Sequence, residues 1–131
     1  MIGLDANVLV RYLAQDDSVQ SPKATEFIEG QLTEQDPGFI TVVAMVETVW
    51  VLERAYGLDH KAIAAAVERT LQADALVVED EQEVFTAMLA LKDGRGSFAD
   101  ALIAALGERA GCSYTLTFDR RASRLGGFRL A

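Results

Sequence analysis

Four acidic residues stand at positions where an α/β protein brings side chains to one edge of its sheet. Asp5 directly follows a short apolar run, and Asp119 comes just after another. Glu47 and Asp100 lie inside apolar stretches that are typical of helices. Ligands of parallel sheets bind beyond the carboxyl ends of the strands. The four carboxylates therefore mark a candidate site.

The chemistry that suits such a cluster is metal binding. Four neighbouring carboxylates repel one another, so some of them stay protonated unless a cation is present. Oxygen ligands without His or Cys favour a hard ion, Mg²⁺ or Mn²⁺. The single histidine, His60, and the single cysteine, Cys112, cannot form a usual zinc site.

Glu47 is the acid whose position is most unusual. On a helix, its neighbours three and four positions away are all apolar: Val43, Ala44, Trp50 and Val51. We therefore expect its carboxylate on an apolar face, where an unpaired charge is costly enough that the group neutralises or finds a partner. The structural alternative is a salt bridge, with Arg54 or with an arginine elsewhere.

Each of the other three acids also has a purely structural interpretation. Asp5 is a good N-cap for the helix that follows it. Ser97 and Asp100 fit a capping box, in which Asp100 reaches back to the start of the helix. Asp119 can cap a short helix over residues 120–125. From the residues alone, the structural and functional interpretations both stay open.

The elements that must position these acids alternate along the chain. Predicted strands cover residues 2–4, 39–40, 75–78, 114–117 and, at an edge, 128–130. Predicted helices begin after Asp5, at Ser21-Pro22, after Thr41, after Asp59, at the acidic run 79–83 and after Ser97. This alternation favours an α/β layered fold with a parallel sheet. With 131 residues, half of them hydrophobic, we expect a single domain over residues 1–131.

Charge is distributed unevenly over the sequence. The formal net charge is −8, which is not typical of a nucleic-acid-binding protein. Residues 1–91 carry five Lys/Arg and sixteen Asp/Glu, whereas residues 92–131 carry seven and four. The basic C-terminal third can therefore face a polyanion, although ordinary solvated charge explains it equally well.

The cysteine content and the hydropathy pattern indicate a cytoplasmic protein. Cys112 has no partner for an intrachain disulfide, as expected in a reducing compartment. We expect no signal peptide, because the first strand begins at Ile2 and is interrupted by Asp5. No apolar run approaches the roughly 18 residues that a membrane helix needs.

Taken together, the motifs resemble those of the PIN-domain nucleases, and more narrowly the VapC-type toxins of bacterial toxin–antitoxin pairs. The resemblance rests on LDANVLV (residues 4–10), on Glu47 in a long apolar helix, on FADALIA (residues 98–104) and on LTFDR (residues 116–120). No single piece is specific, but the four occur in order, with suitable spacing, over the whole chain.

The resemblance implies a three-layer α/β/α sandwich with a short, mostly parallel sheet and Mg²⁺-dependent endoribonuclease activity, with Mn²⁺ as a substitute. It implies an acidic site of Asp5, Glu47, Asp100 and Asp119, supported by Asn7 and Thr117. Many relatives carry a further acid where this chain has Ser97. The family also implies a homodimer and an antitoxin that blocks the site.

The mechanism implied is metal-assisted hydrolysis of an RNA phosphodiester. Asp5, Asp100 and Asp119 would hold Mg²⁺ directly or through water, and Glu47 would bind a second ion or orient the attacking water. Four arginines are candidates for contacts with RNA phosphates, which position RNA without reading its sequence: Arg95, Arg120, Arg121 and Arg124. Each of them is equally well explained as a plain surface charge.

Two other functions stay open. One is a Mg²⁺-dependent phosphohydrolase or phosphotransferase of the haloacid dehalogenase type, with Asp5 as the nucleophile. Such enzymes usually have a second Asp where this chain has Asn7, which disfavours that function. The other is a catalytically inactive PIN fold that only binds a partner, which the complete set of four acids disfavours.

Overall fold

The computed structural model describes all 131 residues and divides into two compact units, residues 1–81 and 82–131. The first unit contains strands β1 (Ile2–Gly3), β2 (Gly38–Ile40) and β3 (Leu76–Val78) and helices α1 (Ala6–Ala14), α2 (Gln20–Thr25), α3 (Val42–Arg54) and α4 (His60–Gln72). A π-helical segment, Glu26–Gln31, follows α2 directly.

The second unit contains two helices and two strands. Apart from its first residue, α5 (Glu81–Lys92) belongs to this unit, and α6 (Phe98–Arg109), β4 (Thr115–Thr117) and β5 (Phe128–Leu130) follow. A 3₁₀ turn, Ala122–Arg124, lies between the two strands. The strands pair in parallel, with Thr115 opposite Phe128 and Thr117 opposite Leu130.

The sheet of the first unit has the order β1-β2-β3, and both of its strand pairs are parallel. Gly3 lies opposite Phe39, and Ile40 lies opposite Val78. Parallel strands need helical crossovers between them, and the sequence supplies α1 and α2 at the first crossover and α3 and α4 at the second. The carboxyl ends of all three strands therefore lie at the same edge.

Three helices begin at caps that the sequence predicts. The Thr41 hydroxyl accepts a hydrogen bond from Ala44 N at 3.0 Å, and Asp59 Oδ1 accepts one from Ala62 N at 2.8 Å. Ser97 Oγ accepts one from Asp100 N at 3.1 Å. Each side chain satisfies a first-turn N–H that has no partner within its own helix. These caps fix where α3, α4 and α6 start.

The predicted helix start at Ser21-Pro22 is wrong. Helix α2 begins at Gln20, and Asp17 caps this region by accepting hydrogen bonds from Val19 N and Gln20 N at 3.0 and 2.7 Å. Ser21 is buried, and its hydroxyl donates to the Arg11 carbonyl at 2.8 Å. A tertiary contact with α1 therefore uses the side chain that local sequence assigns to capping.

The observed architecture confirms the α/β class with short parallel strands, and it is consistent with a PIN-like three-layer α/β/α fold. The five strands form two parallel sheets, where the sequence predicted one. That residues 1–131 fold as one domain stays a prediction. None of the helices is both long and apolar enough to span a membrane.

Close packing around Gly38 generates the first prediction. A Cβ at this position would lie 2.8 Å from the Leu4 and Leu32 side chains and 3.1 Å from that of Leu76, all three of which are buried. We expect Gly38→Ala to lower the free energy of unfolding by about 1–3 kcal/mol through overpacking. Chemical denaturation measures this change.

Gly3→Ala is the matched control, because Gly3 lies on the neighbouring strand and a Cβ there meets nothing within 4 Å. This substitution should leave stability unchanged or raise it slightly, since alanine reduces the freedom of the unfolded chain. Equal effects of the two substitutions would contradict the packing described for Gly38.

Candidate functional site

Asp5 lies where β1 gives way to α1 at the carboxyl edge of the sheet. Its backbone is extended (φ −75°, ψ 155°), and its Oδ1 accepts a hydrogen bond from Ala6 N at 2.7 Å. Asp5 is therefore a helix cap, as its structural interpretation predicts. The residue is nevertheless exposed, and its Oδ2 has no hydrogen-bond partner within the protein. Capping thus leaves one carboxylate oxygen available to a ligand.

The strand register places two further side chains at this edge. Continuing the pairing two residues past β1 sets Asp5 beside Thr41, and continuing it one residue past β2 and β3 sets Thr41 beside Glu79. Hydrogen bonds from Leu4 N to the Phe39 carbonyl and from Glu79 N to the Ile40 carbonyl, both 2.9 Å, hold this register. Glu79 was not predicted as a functional residue.

Glu79 illustrates what local sequence cannot show. Its Oε1 accepts a hydrogen bond from Val42 N at 2.8 Å, so that this acid caps α3 from the end of β3. The two residues are 37 positions apart, and the contact depends on the strand register. The only signal in the sequence is the position of Glu79 directly after a predicted strand.

The predicted surroundings of Glu47 are wrong. Helix α3 buries Ala44, Met45, Thr48, Val49 and Leu52. Glu47 lies on the opposite face with Val43 and Trp50, which are 74% and 57% exposed. The carboxylate is therefore solvated and does not need the salt bridge predicted for a buried acid. Arg54 instead lies over the Trp50 ring, 5.8 Å from its centroid.

The failure of this prediction has a clear physical reason. The helix carries apolar residues on more than one face, so periodicity alone does not determine which face is buried. Packing against α1 and α4 selects the Ala44–Thr48 side. The Glu47 carboxylate is consequently without a hydrogen bond or ion pair, in the second turn of a helix that begins at the carboxyl edge of the sheet.

In the second unit, Asp100 lies in the first turn of α6, and Asp119 follows β4. Helix α6 packs on β4, and a Cβ at Gly107 would lie 2.9 Å from Thr115 Oγ1. Helical rise places Asp100 about 10 Å along α6 from Gly107.

Asp119 is held in place by its own loop. Its N–H donates to Thr117 Oγ1 at 3.0 Å, and its Oδ1 accepts a hydrogen bond from Arg121 N at 2.8 Å. Its carbonyl accepts another from Ser123 N at 3.0 Å. Thr117 therefore fixes the backbone of Asp119. Asp119 is exposed, and its second carboxylate oxygen has no protein partner.

Asp100 and Asn7 are without side-chain hydrogen bonds. Asp100 occupies the first turn of α6 and is half-buried. Its N–H donates to Ser97, but the reciprocal bond of a capping box is not formed. Asn7 is exposed in the first turn of α1. Both side chains are free to bind a ligand.

The donor chemistry of these residues suits a hard divalent cation. Within either unit, no group of three or more His, Cys, Asp or Glu side chains is arranged to hold a metal ion. Each unit does supply two of the four acids, and each acid keeps at least one carboxylate oxygen without a protein partner. Carboxylate oxygens are the ligands that Mg²⁺ and Mn²⁺ prefer.

Two pockets of the first unit contain neither Asp5 nor Glu47. A pocket of about 390 Å³ is lined by Tyr12, Glu29 and Arg69, among others. Burial, together with the hydrogen bond that Tyr12 donates to Glu29 at 2.7 Å, raises the pKa of Tyr12 to about 12. A more apolar pocket of about 490 Å³ includes Asn7. Pocket size alone therefore does not identify the acidic residues.

The four candidate arginines differ in their surroundings. Arg95 forms an ion pair with Asp93 at 3.7 Å, so its charge is partly balanced. The other three, Arg120, Arg121 and Arg124, are exposed, and none of them forms an ion pair. They follow Asp119 within five residues, so the loop after β4 is more basic than the segment around Arg95.

Comparison with known families extends the description. The model of the PIN domain family matches residues 2–127, a range that includes all four candidate acids. No curated protein matches the chain. PIN domains are generally metal-dependent nucleases, so the match supports hydrolysis of nucleic acid with the help of a divalent ion.

Asp5 both caps α1 and is a candidate metal ligand, and these two roles give the second prediction. Asn is as good an N-cap as Asp, so Asp5→Asn should keep the free energy of unfolding within about 0.5 kcal/mol of wild type. Asp5→Ala removes the acceptor and should cost about 1 kcal/mol. Urea denaturation distinguishes the two. A similar loss in both variants would show that the charge, and not the cap, stabilises α1.

Proposed function

Because the chain belongs to the PIN domain family, whose model matches residues 2–127, we propose that it is a Mg²⁺-dependent endoribonuclease. The observation that carries this proposal is the family match, which contains Asp5, Glu47, Asp100 and Asp119. The exposure of Asp5 and Asp119, each with a free carboxylate oxygen directly after a strand, supports it further. The sequence motifs support the narrower role of a toxin in a toxin–antitoxin pair.

The acids have different parts in the proposed reaction. Asp5, Asp100 and Asp119 would hold the cation, directly or through water, and Glu47 would orient the attacking water or contribute to a second ion. A bound divalent ion supplies charge stabilisation at the scissile phosphate and a water of lowered pKa. Thr117 keeps Asp119 in position through the 3.0 Å bond to its N–H. Asn7 lies in the first turn after Asp5 without a side-chain hydrogen bond to it, and its supporting role rests on the resemblance.

Electrostatics make the loop after β4 the proposed contact for the RNA backbone. The protein as a whole repels a polyanion, with a net charge of −8. The unpaired guanidinium groups of Arg120, Arg121 and Arg124 offset that repulsion close to Asp119. Arg95 contributes less, because Asp93 shares its charge. Such contacts position a phosphate and do not read bases.

Two protein partners belong to the proposal. They are a second copy of the chain and a cognate antitoxin that covers the acidic site in the cytoplasm, and the resemblance to VapC-type toxins supports both. Val43 and Trp50 on α3 support a surface covered by protein, since large apolar side chains exposed together are typical of interfaces. Membership of the PIN family favours this function over a phosphohydrolase that uses Asp5 as nucleophile.

The third prediction concerns metal-dependent cleavage. We expect purified protein to cut a structured RNA pool at discrete positions with Mg²⁺ or Mn²⁺ and not with EDTA. Asp5→Asn and Asp119→Asn should each lower the rate at least about 100-fold, because a charged metal ligand is lost while the capping oxygen remains. Gel electrophoresis of end-labelled RNA measures the rate.

Asp59→Asn is the matched control, because Asp59 also caps a helix and is exposed. It should cut within about twofold of wild type, since Asn retains the cap. Cutting that persists in Asp5→Asn or in EDTA would contradict the acidic site. RNA binding without any cleavage would instead support a PIN fold that acts only as a binding module.

The fourth prediction concerns the arginines. We expect Arg121→Gln to reduce the slope of log affinity against log salt by about 0.7 for single-stranded RNA, the value for one phosphate contact. Arg95→Gln should have a smaller effect, because Arg95 is paired with Asp93. Arg54→Gln, in the first unit over Trp50, is the control. Equal slopes in Arg121→Gln and wild type would exclude Arg121 as a phosphate contact.

A further inference from the structure

One face of the two-stranded sheet in the second unit is apolar and exposed. Successive side chains of a strand point to opposite faces, so that Tyr114, Leu116 and Phe118 share one side of β4 and its extension. They are 43%, 60% and 88% exposed, and Phe118 is the most exposed large hydrophobic residue of the chain. We call Tyr114, Leu116, Phe118 and Arg129 the aromatic face.

The opposite side of β4 is covered. A Cβ at Gly107 of α6 would lie 2.9 Å from Thr115 Oγ1, and Thr115 and Thr117 are both half-buried. Helix α6 therefore packs on the threonine side and leaves the aromatic face to solvent. The exposed Phe118 ring does not stabilise the fold, because apolar surface contributes to stability only when water is removed from it.

A cation lies on the same face. Arg129 pairs with Leu116 in the parallel register, and its guanidinium lies 3.8 Å from the centroid of the Tyr114 ring. This stacked arrangement holds a positive charge beside an aromatic surface. Residues 113–131 carry four arginines and a single acid, Asp119, although the whole chain is strongly acidic. The face therefore carries the positive charge of Arg129 and belongs to a basic segment of the chain.

The charge pattern distinguishes between possible occupants. A second copy of the chain bound through the same face would bring Arg129 of both copies into one interface, because a twofold contact is self-complementary. Like charges facing each other in an interface are unfavourable. An RNA strand offers phosphates to the arginines and flat bases to Phe118 and Tyr114. Aromatic rings combined with cations are the usual means of holding unpaired nucleotides.

We propose that Phe118 is a stacking platform for an unpaired base of the substrate, next to the phosphate that is cut beside Asp119. This inference rests on the proposed function and requires an unpaired segment in the RNA substrate. Bases in a duplex are stacked on one another and cannot lie on an exposed ring. Phe118 is a positioning residue, since it holds the strand and does not take part in the reaction.

The test measures binding without cleavage. Fluorescence anisotropy in EDTA follows an end-labelled, unstructured RNA and a blunt duplex of the same sequence. We expect Phe118→Ala to bind the single strand roughly 5- to 50-fold more weakly than wild type. Affinity for the duplex should change less than about twofold, because a duplex offers no free base to the ring.

Three further measurements separate stacking from charge and from general hydrophobicity. The salt slope should be the same in Phe118→Ala and wild type, since a lost stack releases no counterions. Phe118→Trp should restore binding, whereas Phe118→Leu, which keeps apolar bulk without a ring, should not. Phe85→Ala, an exposed Phe of α5, is the control and should bind as wild type does.

Several outcomes would overturn the inference: unchanged binding in Phe118→Ala, full binding in Phe118→Leu, an equal loss with the duplex, or no binding of RNA by wild type. The proposed function fails separately. Binding that depends on Phe118, without cleavage at any metal concentration, would remove the enzyme and leave the stacking platform. Cleavage together with unchanged binding in Phe118→Ala would keep the enzyme and remove the stacking platform.

Discussion

The structure depends on the parallel register of three very short strands. Two hydrogen bonds of 2.9 Å, from Leu4 N to the Phe39 carbonyl and from Glu79 N to the Ile40 carbonyl, continue the ladder to its carboxyl edge. Because each strand has only two or three residues, the chain turns into a helix or loop at that edge. The residues at these turns, among them Asp5, must both satisfy helix N–H groups and face solvent. The exposed position of Asp5 follows from that constraint.

Helix capping and metal binding both use the carboxylate oxygens of these acids. A carboxylate has two oxygens, and a cap uses only one, as Asp5 does with Ala6 N and Asp119 does with Arg121 N. The cap orients the side chain without help from a cation, which reduces the freedom that a ligand would otherwise have to remove. For this reason the structural and functional interpretations of these acids, which were alternatives in the sequence, are compatible in the structure.

Features that depend on neighbouring residues were predictable from the sequence, and features that depend on tertiary packing were not. The caps at Thr41, Asp59 and Ser97 are local, and the sequence identified them. The buried face of α3 is chosen by its neighbours, so that Glu47 was placed on the wrong side. Phe118 directly follows the predicted strand 114–117, and only the packing of α6 shows which side of β4 is covered.

The most direct test of the central claim is calorimetric titration with Mn²⁺, which is independent of the RNA target. Wild type is compared with two folded double variants, Asp5→Asn with Glu47→Gln and Asp100→Asn with Asp119→Asn. If the four acids bind metal as one set, both double variants should lose the same binding event, with affinity at least about 100-fold weaker, since each loses two charged oxygen ligands. Wild-type affinity in either double variant would contradict the proposed four-carboxylate site.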